Sequence, residues 1–172
     1  MPRTEITRHH TAADGTRSTA IYSACETYRY ALYRDWCDAP ALTFVMLNPS
    51  TATEAANDPT IARCEARARS WGYGGLRIAN LFAFRATYPR DLKAAADPVG
   101  PDADHWLGLA CAPSGLVIAG WGVHGAHLDR DQRVRALLKD AGTALHALGL
   151  TKHGHPRHPL YVAYSRLPER WL

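Results

Sequence analysis

Three short apolar runs punctuate the middle of the chain: Ala41–Leu47 (ALTFVML), Leu76–Leu81 (LRIANL) and Gly115–Gly120 (GLVIAG). Each is rich in long aliphatic or β-branched residues and is bounded by Gly, Pro or Asn, the pattern of a strand buried on both faces. Helical spacing fills the gaps between them. Asp58-Pro59 sets a carboxylate at a helix N-cap and proline at the first helical position. Ile61, Cys64, Ala68 and Trp71 then continue on one stripe until Gly72 and Gly74-Gly75 close it. A second stripe runs from Asp129 to Leu148 through Val134, Leu137, Leu138, Ala141 and Leu145. A short helix capped by Asp102 or Asp104 carries Trp106, Leu107 and Leu109, whereas Phe82–Pro101, with three prolines and Gly100, reads as loop or broken helix. Upstream, Thr19–Ala24 and Tyr28–Tyr33 alternate as two strands of a hairpin or meander. Residues 1–18 are polar and aperiodic and read as a flexible lead-in to a single domain over 19–172.

Alternation of strand and helix predicts an α/β fold: a three-layer sandwich with a largely parallel central sheet and helices on both faces. In such a sheet, functional residues collect at the carboxyl ends of the strands. A chain of 172 residues buries one sizeable core but is short for two domains. No apolar run approaches the roughly 20 residues of a membrane helix, and Met1-Pro2-Arg3-Thr4-Glu5 lacks the apolar core of a secretory signal. The expected location is the cytoplasm, with no membrane partner, and the expected state is a monomer.

Four cysteines, Cys25, Cys37, Cys64 and Cys111, include no Cys-x-x-Cys pair, so neither a structural zinc nor an iron–sulfur cluster is expected, and buried reduced thiols are the preferred reading. The net charge of +4 suits a polyanionic partner without demanding one. Its distribution says more. Thr151–Leu172 carries Lys152, Arg157, Arg166 and Arg170 against Glu169 alone.

All three strands end in polar punctuation: Asn48-Pro49-Ser50-Thr51, Asn80-Leu81-Phe82 and Trp121-Gly122. A fourth segment, His155-Pro156-Arg157-His158-Pro159-Leu160-Tyr161, follows near the C-terminus. In this order the four motifs resemble those of the uracil-DNA glycosylase-like superfamily. Strand-Asn-Pro is similar to the water-positioning first motif of the mismatch-specific branch, Asn80 to the amide that faces a flipped base, the strand ending in Trp121-Gly122 to its counterpart in the uracil-removing enzymes, and His158-Pro159-Leu160 to the final loop, whose histidine contacts the base and whose next apolar residue wedges into the duplex. The chain also resembles an uncharacterised bacterial family, a domain of unknown function, through Leu47–Ala52, Asp58–Ile61 and Pro156–Tyr161.

The superfamily resemblance implies a uracil-DNA glycosylase-like fold, a DNA partner, no cofactor, and hydrolysis of the N-glycosidic bond of a flipped damaged or modified base. The implied catalytic residues are Asn48 and His158, with Asp58 in reserve as a base. Asn80, Phe82 and Trp121 would hold the base; Ser50, Thr51, Arg157 and Arg166 would hold phosphates; Leu160 or Tyr161 would wedge. The first motif departs from the uracil-removing enzymes, which carry aspartate there, because an amide takes no proton at neutral pH. Asn48 therefore orients water without deprotonating it, which is compatible with an oxocarbenium-like transition state led by departure of the base. Each residue also has a plainer reading: Asn48-Pro49 as a turn, Asp58 as a helix cap, Trp121 and Phe82 as core, and the arginines as solvated surface. His153, His155 and His158 lack an accompanying carboxylate or thiol, which disfavours a metal site. Two other functions fit the same motifs: N-glycosidic cleavage of a free nucleoside or nucleotide, and nucleic-acid binding without catalysis.

Overall fold

A computed structural model of the protein describes residues 4–112 and 115–172. Its strands are β1 (Glu5–Thr11), β2 (Arg17–Ser23), β3 (Arg29–Asp35), β4 (Ala41–Met46), β5 (Gly75–Asn80), β6 (Leu116–Ala119), β7 (His146–Ala147) and β8 (Glu169–Arg170). Four α-helices, α1 (Pro59–Ser70), α2 (Pro89–Ala94), α3 (Ala103–Cys111) and α4 (Arg130–Asp140), lie between them. All eight strands join one sheet in the order β1-β2-β3-β5-β4-β6-β7-β8.

The sheet is mixed, which corrects the largely parallel, glycosylase-type sandwich expected from the sequence. Four of its seven neighbouring pairs are antiparallel, β1–β2, β2–β3, β3–β5 and β7–β8. Parallel pairing is confined to β5-β4-β6-β7. Connection length accounts for the first two antiparallel pairs. The chain between β1 and β2 is a tight turn with Gly15 at φ 88°, and an equally short link joins β2 to β3, so these strands can only return antiparallel. Parallel neighbours need crossovers, and here α1, α3 and α4 supply them. Of the lead-in expected to be flexible, residues 1–3 lie outside the described residues, and Glu5–Thr11 forms the edge strand β1. Its side chains are half-buried or exposed throughout, so the strand carries no apolar alternation to read.

The helices cover both faces of the parallel part. Leu42, Phe44, Leu76 and Ile78 of the sheet meet Ile61, Cys64 and Ala68 of α1. The alternate residues Val45, Ala79 and Val117 meet Leu107 of α3 and Leu138 of α4 on the other face. Each such fully buried aliphatic side chain contributes on the order of 1.5–3 kcal/mol. The first stripe is realised as α1 with Asp58 at its cap, where Oδ1 accepts from the Ile61 N–H at 2.9 Å. The second ends earlier than its periodicity predicts: α4 stops at Asp140, Gly142 turns the chain with φ 75°, and Leu145 exchanges backbone hydrogen bonds with Trp171 and Leu172. Within Phe82–Pro101, read as loop or broken helix, Pro89 opens the short α2, at a position where a missing N–H costs nothing. Cys64 and Cys111 are buried, but Cys25 and Cys37 are exposed, which corrects the expectation of four buried thiols.

Candidate active site

The carboxyl ends of β4, β5 and β6 open into a cavity of about 700 Å³, within the range of small-molecule sites. Met46, Ile61, Ile78 and Leu160 supply apolar wall, and Asn48, Asn80 and His158 reach the same space. Their convergence follows from register. Met46 of β4 sits opposite Asn80 of β5, and the ladder runs one step further, with Leu81 N–H donating to the Met46 carbonyl at 2.9 Å and Phe82 N–H to that of Leu47 at 3.0 Å. Asn48 therefore leaves the sheet beside Asn80. The His158 loop reaches the same edge because Gly122 N–H donates to the Pro156 carbonyl at 2.9 Å. Gly120 makes room for it: a Cβ there would lie 2.9 Å from Cδ of Pro159 and 3.0 Å from Sδ of Met46.

The Asn48 amide is oriented by its neighbours. Nδ2 donates to the carbonyls of Ala86 at 2.8 Å and Pro49 at 3.0 Å, with Phe84 at 3.4 Å. Because all three partners are acceptors, the amide cannot be flipped, and Oδ1 is the end left to accept from a ligand or water. His158 is fixed similarly. Its Nδ1 accepts from the Leu160 N–H at 3.3 Å, so the neutral ring carries its proton on Nε2. Burial pushes the imidazole below its ordinary pKa, against the opposing pull of the nearby Asp58 carboxylate. At pH 7 His158 is a neutral donor.

Asn80 is 4% exposed, and its Nδ2 has no hydrogen-bond partner among the described residues. A buried donor left unpaired costs about 1–3 kcal/mol, a cost that a bound acceptor removes. Asp58 lines the same cavity, yet both its oxygens already serve the backbone, Oδ1 at Ile61 and Oδ2 at the Ala52 N–H, 3.3 Å away. Ser50 lines the cavity, while Thr51 is exposed and off its wall. Leu160 is on the wall and Tyr161, 81% exposed, stands at the mouth. Arg157 is also at the mouth, with Nε donating to the Leu150 carbonyl at 3.2 Å. Arg166 lies outside the cavity, in a neighbouring groove that Arg157 and Tyr161 also border.

The two aromatic candidates part company. Trp121 touches the cavity but is 1% exposed, tilted against Trp171 with ring centroids 5.8 Å apart, and packed so closely on Gly125 that a Cβ there would overlap its ring. Phe82 is fully buried beside His127, away from the cavity wall.

Several arginines that shape the site escape a sequence reading, since a buried arginine is written like a solvated one. Arg29, 2% exposed, lines the cavity and donates from Nη1 to the Ala52 carbonyl at 2.7 Å. Arg34 donates to the carbonyls of Thr53 at 2.8 Å and Ala56 at 3.1 Å and to Oδ1 of Asn57 at 2.7 Å. Together they hang the loop after Asn48 from β3. On the far wall, Arg63 and Arg67 of α1 clasp the carbonyls of Pro159 and Val162. The one available signal was their spacing of four residues beside the apolar stripe of α1, which puts both on one side of the helix.

A mixed α/β sheet thus opens a ligand-sized cleft at its parallel strand ends, lined by the oriented amide of Asn48, the amide of Asn80 and a neutral His158. The chain belongs to the family described as a protein of unknown function (DUF1643), whose model matches residues 29–160. That span takes in Arg29, Asn48, Asn80, Trp121 and His158. No curated protein and no solved structure matches the chain.

Proposed function

We propose that the protein is a DNA glycosylase-like hydrolase that cleaves the N-glycosidic bond of a flipped, damaged or modified base. The observation that carries this reading is the Asn80 amide, buried without a partner on the wall of a cavity that also receives the Nε2–H of His158. A nucleobase edge offers the acceptor that Asn80 lacks, and a base carbonyl the acceptor that His158 requires. The motif resemblance to the uracil-DNA glycosylase-like superfamily adds to this at the level of chemistry.

The reaction is dissociative. The bond from C1′ to the base nitrogen breaks with its electrons going to the base, and the resulting negative charge is met by the hydrogen bond from His158. Water held by Oδ1 of Asn48 adds to C1′, and its proton passes through solvent to the departing base. No strong general base takes part, and no cofactor is required. Lys152 and Arg157 at the mouth supply positive charge for flanking phosphates.

Incubation with oligonucleotides carrying uracil, mismatched thymine, hypoxanthine or modified cytosines is expected to leave alkali-labile abasic sites on at least one, and Asn48→Ala and His158→Ala to abolish them. Inactivity over the whole set would defeat the proposal. Base release from free nucleosides alone would move the substrate from DNA to the small molecule.

A further inference from the structure

Arg29 is a buried cation without an ion-pair partner among the described residues, and it forms part of the cavity wall. Its nearest charged neighbours include Arg34 and Arg85, which repel it, and Asp58, whose oxygens are engaged elsewhere. Burial draws its pKa down to about 10, which leaves it charged at neutral pH. Holding the 49–57 loop accounts for Nη1 alone, through the Ala52 carbonyl. Among the described residues Nε is buried with no partner, and no hydrogen bond is donated from Nη2. These two groups share one edge of the planar guanidinium, the fork that matches two adjacent acceptors.

We propose that Arg29 is an anion subsite of the cavity, and that the ligand is a planar base-like ring bearing a carboxylate, whose two oxygens meet the Nε–Nη2 edge while Asn80 meets the ring. Met46, Ile61 and Ile78 give the ring its apolar walls. The assignment takes from the preceding section only that the cavity receives a base. It concerns binding, so it stands or falls separately from bond cleavage.

Calorimetric titration of the full chain with uracil, its 5- and 6-carboxylates and inorganic phosphate tests it. At least one carboxylate is expected to bind roughly tenfold or more tighter than uracil, the increment of a charge-assisted bidentate contact. Phosphate is expected to compete poorly. In the wild-type protein the Arg29 Nε–H resonance should shift with that carboxylate and not with uracil, a readout that needs no variant. Arg29→Lys, which keeps the charge and loses the fork, should remove most of the preference. Equal binding of uracil and both carboxylates, an unmoved Arg29 resonance, or phosphate competing as well as the carboxylated ring would each overturn the proposal. Failure to bind any of the rings, uracil included, would instead strike at the base-binding reading on which this one rests.

Discussion

Nη1 of Arg67, buried on α1, donates to the carbonyl of Pro159, the residue that follows His158, at 3.2 Å. Its Nη2 reaches the carbonyls of Val162 at 2.7 Å and Ala163 at 3.1 Å, and Arg63, one turn earlier, donates to the first two of these three carbonyls. Tyr164 lies over both guanidiniums, 4.1 Å from that of Arg63 and 4.9 Å from that of Arg67. Truncation of Arg67 leaves buried carbonyls short of donors, and Arg67→Met is expected to cost about 2–4 kcal/mol in denaturant unfolding. Arg63→Met, at a half-buried position whose acceptors keep Arg67, should cost less than half of that. If the two variants together cost only the sum of the singles, the clasp does not act as a unit.

Asn80 carries the cost of a buried donor that a bound acceptor would relieve. Asn80→Leu removes a buried, unpaired amide from an apolar strand, so thermal unfolding should show a stability unchanged or raised by about 1 kcal/mol. Base binding by the same variant should fall roughly tenfold or more. A variant that is destabilised while binding normally would show that Asn80 is structural.

Asp58 offers a clean separation of cap from base. Asparagine caps a helix as well as aspartate does, so Asp58→Asn should unfold within about 0.5 kcal/mol of wild type, whereas Asp58→Ala should lose about 1–2 kcal/mol. Because both carboxylate oxygens already serve the backbone, Asp58→Asn is expected to retain most base-releasing activity. Its loss in a stably folded Asp58→Asn protein would make Asp58 the general base.

The pKa of His158 is depressed by burial, as are those of His124 and His146. For a histidine held neutral in the fold, the unfolded chain takes up protons first as pH falls. The stability these groups contribute is therefore complete above the ordinary value near 6.5 and is lost as pH drops through the folded-state values. Chemical denaturation from pH 8 to 5 should show that loss on the acid side only. Proton NMR of the imidazole should place His158 below 6.5, and ligand binding should persist at pH 6.5 and fail once the ring protonates. Protonation fills Nδ1 and breaks its bond with the Leu160 N–H. A His158 titration at or above 6.5 would contradict this picture.

The sequence reveals strands β4, β5 and β6 and helix α1 with its Asp58 cap, because their residues alternate or recur as buried elements must. It also reveals β2 and β3, whose alternation over Thr19–Ala24 and Tyr28–Tyr33 reads as a hairpin, but conceals β1, whose half-buried and exposed residues Glu5–Thr11 leave no period to detect. The cleft is legible where polar residues interrupt apolar strands, as at Asn48 and Asn80. It is illegible where charge is buried: Arg29, Arg34 and Arg67 read like surface residues, and only the fold shows that each hangs a loop or lines the cavity. Phe82 shows the converse. An aromatic just past a strand end suggests stacking on a ligand, yet that ring is fully buried in the core cluster that includes Leu92 of α2 and Leu107 of α3.

The clasp between α1 and the Pro159–Ala163 carbonyls joins parts of the chain separated by 92 to 99 residues. During synthesis the strands that bear Asn48 and Asn80 emerge and can pair long before His158 has been made. The far wall must then close across one of the longest loops in the fold, at an entropic cost that local contacts do not offset. The cleft is accordingly among the last parts of the molecule to assemble, so ligand affinity should report an intact, fully folded chain more sharply than helical content does.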